Sequence, residues 1–276
     1  MLRPALPHAA ALQNLSFLRI DGWSKRNFHL AFRNRTVIFG FDYHQVLSPV
    51  SPQSTESIAA GLARVRERIA NACARAHRDP ATVKLLAVTK VFGPEVIRAG
   101  YALGLRDFGE NYVQEMERKA PAIADLADAR FHLIGHLQSN KTKKAAQLFS
   151  AIDSVDAVKV AERLDAEAKP LDVMIEVRLS REESKSGAEA DELPALVESI
   201  RASRHLKLVG LMTVPPWSEN PELSRSYFAR LRELAGRHGV PELSMGMSND
   251  LEVAIEEGAT CVRVGTAIFG RRQKHG

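Results

Sequence analysis

Residues 84–90 read KLLAVTK, a run of apolar side chains that leads through Thr89 into Lys90. A short apolar run bounded by polar residues is typical of a strand that is buried on both faces. Lysine is among the residues least often found in a protein interior. The stretch therefore predicts a buried strand that ends on an ammonium group, and it raises the question of what that group binds.

Seven more strand-like runs follow this one along the chain. The eight predicted strands are 84–90, 107–111, 130–137, 151–156, 171–179, 206–213, 242–248 and 261–267. Helical patterns lie between them, at about 94–103, 112–120, 141–149, 157–168, 189–203, 221–238 and 249–257. Apolar strands that alternate with helices indicate a parallel sheet covered by helices. Eight of them in succession predict an α/β fold, a single (β/α)₈ TIM-type barrel. No G-x-G-x-x-G turn follows the first strand, so a doubly wound open sheet is the second choice.

The chain changes in character at about residue 53. Residues 54–276 carry the barrel pattern, and a further helix is predicted at 57–76, which closes the ring of helices or leaves that place unassigned. Its apolar face consists of Ile58, Leu62, Val65, Ile69 and Cys73. Residues 1–53 contain few acidic residues and no clear period. We interpret them as a disordered extension or a mis-assigned start of translation.

Composition excludes several classes of protein. Residues 1–53 hold six basic and two acidic residues, so most of the net charge of +5 lies there and the barrel region is nearly neutral. This argues against a nucleic-acid partner. No apolar stretch approaches the roughly 20 residues that span a bilayer. Two cysteines, Cys73 and Cys261, are too few for a disulfide framework; we expect them in the core of a cytoplasmic protein.

The seventh and eighth strand ends predict an anion site. SMGMSND offers Gly246 for close approach of the backbone and Ser248 shortly before a helix, and VGTA adds Gly265 and the hydroxyl of Thr266. Barrels of this type frequently bind phosphate with the loops that follow strands seven and eight. Either feature alone fits glycines in turns and a serine N-cap. Together, on neighbouring strands, they favour a phosphate site.

An anion site would give Lys90 a function. An amine that is partly removed from water becomes a better nucleophile. A nucleophilic amine beside a phosphate site indicates a Schiff base with a phosphorylated aldehyde or ketone, so a sugar-phosphate aldolase and a pyridoxal phosphate protein both fit. The alternative is a lysine whose ammonium group extends into solvent.

Arg263 favours the second of these chemistries. It precedes Gly265 by two residues, so both side chains point to the same side of the strand, with Arg263 deeper. A guanidinium opposite a pyridine nitrogen cannot accept a proton from it, and would keep that nitrogen unprotonated. The alternative is an internal ion pair, for instance with Glu176.

Three other polar features lie at or near predicted strand ends. Asn111 ends the second predicted strand, and the third carries His132 and His136, which are too far apart on an extended strand for one metal ion. Lys185, after the fifth strand, is either a second site that reacts with aldehydes or a loop charge.

Several motifs together resemble the pyridoxal phosphate homeostasis protein family over roughly residues 55–272. They are LLAVTK, FGENYVQE, FHLIGHLQSNK, KSG, GLMT, LSMGMSNDLEVAI and VRVGTAIFG. This family is similar in fold to the barrel domain of alanine racemase. The resemblance implies that Lys90 forms a Schiff base with pyridoxal 5′-phosphate and that Asn111 and His132 line the ring. It further implies that Ser248, Gly265 and Thr266 hold the phosphate and that Arg263 faces the pyridine nitrogen.

The resemblance also implies a protein that keeps the intracellular concentration of this vitamin B6 cofactor in balance, without established catalytic turnover. Partners would be the cofactor and pyridoxal-phosphate-dependent apoenzymes, and we expect a monomer. A racemase-like enzyme is the alternative. It would require a second acid–base group, usually a tyrosine from an appended domain. Only Tyr112 lies near a strand mouth here, and we expect it to pack structurally.

Overall fold

A computed structural model of the chain describes residues 54–180 and 186–270 in full, with the backbone of residues 31–32 and 35–36. The chain divides into two units, Met1–Ser48 and Pro49–Gly276. In the first unit, Ala31–Phe32 and Arg35–Thr36 form a short antiparallel pair. Apart from these four residues, the interpretation of residues 1–53 as an extension lies outside the described part of the chain.

The second unit contains eight parallel strands that close into a barrel. They are β1 Lys84–Val88, β2 Asp107–Glu110, β3 Arg130–Leu133, β4 Ala151–Val155, β5 Leu171–Glu176, β6 Leu206–Met212, β7 Glu242–Ser244 and β8 Cys261–Val264. Each strand pairs with the next, and β8 pairs with β1 through Arg263 opposite Leu86. The predicted barrel is confirmed. The open doubly wound sheet is wrong, because the pairing of β8 with β1 leaves no edge.

Helices cover the outer face of this barrel. They are α1 Thr55–Arg75, α2 Pro94–Ala102, α3 Val113–Lys119, α4 Thr142–Leu148, α5 Val158–Asp165, α6 Leu193–Ala202, α7 Arg225–His238, α8 Leu251–Glu256 and α9 Thr266–Phe269. α1 packs against α2, α8 and α9, so the N-terminal helix closes the ring that the short α9 leaves open. Gly61 permits this, since a Cβ atom there would lie 2.6 Å from the carbonyl oxygen of Ile268.

The predicted strands run beyond the observed carboxyl ends. β1 ends at Val88, although the prediction extended it to Lys90. The amide of Thr89 still donates to the carbonyl of Gly109 over 3.0 Å, but at Val91 the backbone adopts a φ of 66° and turns away from the sheet. At β8, Thr266 is the first residue of α9 and not part of the strand. The residues after each strand are therefore in loops at the barrel mouth, where side chains of neighbouring loops can meet.

Both cysteines lie in the core, as expected. Cys73 and Cys261 are buried and free of disulfides. Burial raises the pKa of the Cys261 thiol to about 12, so it stays protonated and unreactive. None of the helices within the described ranges is both long and apolar enough to cross a membrane.

Candidate functional site

A cavity of about 610 Å³ opens at the carboxyl ends of the strands. Six of the seven side chains or backbone positions predicted for the site line it: Lys90, Asn111, Ser248, Arg263, Gly265 and Thr266. They come from loops or strand ends that are far apart in sequence. The closed barrel brings them together because all parallel strands end at the same rim.

His132 is the one predicted residue that does not line this cavity. It lies within β3, before the strand end, and it is buried with 3% of its surface exposed. Its Nδ1 donates to Asp153 over 3.1 Å and its Nε2 to Asp107 over 3.2 Å. The ring is thus held between two carboxylates in the barrel interior, and Ile134, Gly135 and His136, in the loop after β3, line the cavity instead.

The charge state of His132 follows from these neighbours. Burial alone would lower the pKa of the imidazole, but the Asp153 and Asp107 carboxylates outweigh it and raise the pKa to about 9. His132 is therefore an imidazolium at neutral pH. Its two N–H groups are engaged by carboxylates, so we assign it to the fold of the barrel interior and not to the cavity.

The loops after β7 and β8 form a narrow backbone cradle. Gly246 has a φ of 90°, and a Cβ atom there would lie 2.5 Å from that of Ala254. A Cβ atom on Gly265 would lie 3.0 Å from the carbonyl oxygen of Val88. Ser248 links the two loops, since its Oγ accepts from the amide of Ala267 over 3.3 Å. Ser248 is not the N-cap of α8, which begins at Leu251 after Asp250.

Substitution of Gly246 by alanine is expected to destabilise the protein by about 1–3 kcal/mol. The new Cβ atom is strained in the left-handed backbone conformation and also clashes with Ala254. Chemical denaturation followed by circular dichroism measures this. The matched control is Gly236→Ala in α7, where nothing lies within 4 Å of the new Cβ atom. That change should be neutral or stabilising. Equal losses for the two variants would show that the Gly246 backbone is not a constraint.

Arg263 lies at the floor of the cavity and is buried. Its Nη1 donates to Ser244 Oγ over 2.7 Å and its Nη2 to the carbonyl of Thr213 over 2.8 Å. Among the described residues, these two bonds fix the guanidinium, and no ion pair joins it to Glu176. Burial lowers the pKa of Arg263 from its very high ordinary value. The group can donate to a ligand but has no lone pair to accept a proton.

Other cavity residues were not predicted as site residues. Glu176, the last residue of β5, is 8% exposed, and burial raises the pKa of its carboxyl to about 7 while Arg263 opposes the rise. His136 Nδ1 pairs with Asp156 over 3.0 Å. Glu176 could have been predicted from the sequence, because it lies at the carboxyl end of a strand, where site residues are expected. Trp217, which is 74% exposed, had no signal in the sequence because the loop after β6 has no period.

The expectations for Tyr112 and Lys185 are not confirmed by the structure. Tyr112 does not pack into the fold as expected, since 58% of its surface is exposed. Lys185 lies outside the described residues. Within residues 54–180 and 186–270, no three His, Cys, Asp or Glu side chains are arranged to hold a metal ion.

Unsatisfied polar atoms indicate which ligand the cavity fits. Asn111 Oδ1 and Ser180 Oγ are buried without a hydrogen-bond partner among the described residues. Buried acceptors without partners are rare and mark places where a ligand group or a water donates. With the amine of Lys90, the backbone cradle and the cationic floor, this set fits a phosphorylated aromatic aldehyde that carries a hydroxyl group.

Curated proteins with similar sequences include several that are named Pyridoxal phosphate homeostasis protein. A Pyridoxal phosphate homeostasis protein from Pseudomonas aeruginosa is 48% identical over 222 residues, which is 78% of this chain and 96% of that protein. A protein of the same name from Aquifex aeolicus is 46% identical and covers 77% of this chain and 97% of its own length. The chain also matches the family described as Alanine racemase, N-terminal domain, over residues 61–273.

Solved structures with the same fold include PipY from Synechococcus elongatus. Its structure without PLP has a TM-score of 0.70 at 37% identity, and its structure with PLP bound has a TM-score of 0.68 at 36% identity. Both comparisons cover 77% of this chain and 100% of the other. Alanine racemase from Corynebacterium glutamicum is 18% identical with a TM-score of 0.61, covering 79% of this chain and 62% of that one, so it shares the fold alone.

Proposed function

This chain belongs to the family of pyridoxal phosphate homeostasis proteins, and from that membership we propose that it binds pyridoxal 5′-phosphate in the barrel mouth. Held there, the cofactor's aldehyde is kept from other amines of the cell and can be released to pyridoxal-phosphate-dependent apoenzymes. When bound, pyridoxal phosphate supplies a reactive aldehyde on an electron-accepting ring. The observation that carries the proposal is the meeting of Lys90, Arg263 and the backbone cradle at Ser248 and Gly265 in one cavity.

Each of these residues has a separate task. The amine of Lys90 binds the aldehyde covalently. The hydroxyls of Ser248 and Thr266, with the cradle of Gly265, bind the phosphate. Asn111 Oδ1, which is buried without a partner among the described residues, accepts from the ring hydroxyl.

Arg263 determines how strongly the ring can accept electrons. Its guanidinium is fixed by Ser244 and Thr213 and only donates. Opposite the ring nitrogen it would hold that atom without a proton, and an unprotonated ring withdraws electrons less well. A weaker electron sink fits storage of the cofactor better than reactions that need strong electron withdrawal by the ring.

A racemase-like activity is the second candidate, because Glu176 supplies a titratable carboxyl in the cavity. It is tested by incubating the cofactor-loaded protein with L-alanine in D₂O. Exchange of the α-proton at enzyme-like rates, lost in Glu176→Gln, would establish the activity. The absence of exchange supports the binding protein.

The proposed function is tested on purified full-length protein. We expect a yellow protein, or one that turns yellow when pyridoxal phosphate is added, and a pyridoxyl group on Lys90 after borohydride reduction and peptide mapping. A protein that stays colourless with added cofactor contradicts the proposal. Trapping of a sugar phosphate on Lys90 without any chromophore would instead support an aldolase.

The phosphate contacts predict a selectivity for the phosphorylated cofactor. Ser248→Ala and Thr266→Val should each weaken binding of pyridoxal phosphate by about tenfold to a hundredfold, since a hydrogen bond to a charged group contributes about 1.5–3 kcal/mol. Binding of pyridoxal, which has no phosphate, should not change. Titrations followed by absorbance measure both. Equal losses for the two ligands would show that these hydroxyls do not contact the phosphate.

A further inference from the structure

A buried charged cluster lies beside the Lys90 loop, on the side of β2 and α3. Lys119, on α3, places its Nζ 2.7 Å from Glu110 Oε1 and 2.7 Å from Glu115 Oε1. The side chains of Lys119 and Glu110 are 5% and 0% exposed. Thr89 Oγ1 donates to the same Glu110 oxygen over 2.7 Å. The cluster formed by these four residues does not line the cavity.

Two bonds from the cluster hold the backbone on both sides of Lys90. Lys119 Nζ donates to the carbonyl oxygen of Thr89 over 3.0 Å, which is the peptide group before Lys90. Glu115 Oε1 accepts from the amide of Val91 over 2.6 Å, which is the peptide group after it. The main chain of the cavity lysine is thus fixed at its preceding carbonyl and at its following amide.

The conformation that these bonds maintain is an unfavourable one. Val91 has a φ of 66°, and a β-branched side chain strongly disfavours that region. Such a conformation persists only where surrounding contacts determine it, and it concentrates at functional sites. Without the Glu115 contact, Val91 would relax toward negative φ and the Cα–Cβ direction of Lys90 would change.

Stability alone does not explain this cluster. A buried ion pair loses so much hydration that apolar side chains of similar size often stabilise a fold equally well. Here one oxygen, Glu110 Oε2, is also buried without a partner among the described residues, and burial raises the pKa of this carboxyl. What the cluster supplies that an apolar core cannot is one acceptor and one donor aimed at the two peptide groups beside Lys90.

We propose that Glu115 and Lys119 are positioning residues that aim the Lys90 amine at the aldehyde. This inference rests on the proposed function and goes beyond it, since neither side chain lines the cavity. In the covalent step, the Lys90 nitrogen forms a C=N bond with the aldehyde carbon and the aldehyde oxygen leaves as water. No oxidant or reductant is needed. The cluster acts on the geometry of this step and not on the affinity for the phosphate or the ring.

The experiment separates covalent capture from binding. Pyridoxine 5′-phosphate, which has an alcohol in place of the aldehyde, reports non-covalent affinity by calorimetry. Pyridoxal phosphate reports the rate of covalent capture by stopped-flow absorbance, with the product fixed by borohydride and mapped to Lys90. The variant is Glu115→Ala. Its matched control is Glu117→Ala on the same helix, where Glu117 pairs with Lys144 at the surface.

We expect Glu115→Ala to slow covalent capture by on the order of tenfold to a hundredfold, since small misplacements of a reacting group have effects of this size. Affinity for pyridoxine 5′-phosphate should stay within about twofold of the wild type, and Glu117→Ala should behave as wild type in both measurements. Glu115→Gln keeps an oxygen acceptor for Val91 and should recover most of the rate.

Three results would overturn the inference. They are capture by Glu115→Ala as fast as by Glu117→Ala, a parallel loss of pyridoxine 5′-phosphate affinity, and no recovery in Glu115→Gln. Hydrogen exchange of the wild-type protein adds a test that needs no variant, because an unprotected Val91 amide contradicts the bond to Glu115. If wild type binds neither ligand, the proposed function itself fails, and that outcome is distinct from the other three.

Discussion

Lys90→Ala abolishes covalent capture of pyridoxal phosphate and leaves a protein that still binds pyridoxine 5′-phosphate. Lys90 is the one lysine among the described residues that line the cavity, so its substitution removes the amine that would meet the aldehyde. The Ser248 and Thr266 hydroxyls and the Arg263 guanidinium remain to bind the phosphate and the ring. Absorbance after addition of cofactor, followed by borohydride reduction and peptide mapping, measures the covalent product.

The control for this prediction is Lys143→Ala, which removes an exposed lysine on α4. It should leave the colour and the mapped peptide unchanged. The same reactions test the two interpretations of Lys185. A pyridoxyl group on Lys185 would identify a second site that reacts with aldehydes, and an unmodified Lys185 would support the interpretation as a loop charge. Retention of full colour by Lys90→Ala would contradict the assignment of Lys90.

Alternation of apolar runs with helical patterns was enough to predict the barrel. Strands such as β1 and β5 are buried along most of their length and read as nearly continuous apolar runs, and eight strand-like segments separated by helices leave few arrangements. Strand ends were harder to predict, because the loss of pairing depends on backbone turns. The left-handed conformation of Val91, which ends the run at β1, has no signal in a valine.

Six of seven predicted site residues reach the cavity because one rule, the end of a parallel strand, applies to all of them. His132 was assigned from the family resemblance and not from this rule, and its side chain is engaged by Asp107 and Asp153 instead of lining the cavity. Glu115 and Lys119 could not be found in this way. They lie on α3, and their contact with the Lys90 loop exists only once β1 and β2 are paired.

The ion cluster in the barrel interior predicts a large effect on stability. In Asp153→Asn, the His132 imidazolium loses one of its two carboxylates while it remains buried. Removal of one partner of a buried ion pair costs about 3–5 kcal/mol. We therefore expect the free energy of unfolding at pH 7 to fall by about this amount, measured by urea denaturation. Asp156→Asn is the matched control, since its partner His136 is half exposed, and it should cost about 0–1 kcal/mol.

The same cluster predicts how stability depends on pH. The pKa of His132 is about 9 in the folded protein and 6.5 in a free imidazole, so the folded state binds its proton more tightly. This contribution is fully present below pH 6.5 and is lost as pH rises through 9. Wild type should lose stability across that window, and Asp153→Asn should lose less because its His132 has the lower pKa. A wild-type stability that stays constant from pH 6.5 to 9 would show that His132 is not a cation in the fold, and the large effect of Asp153→Asn would then need another cause.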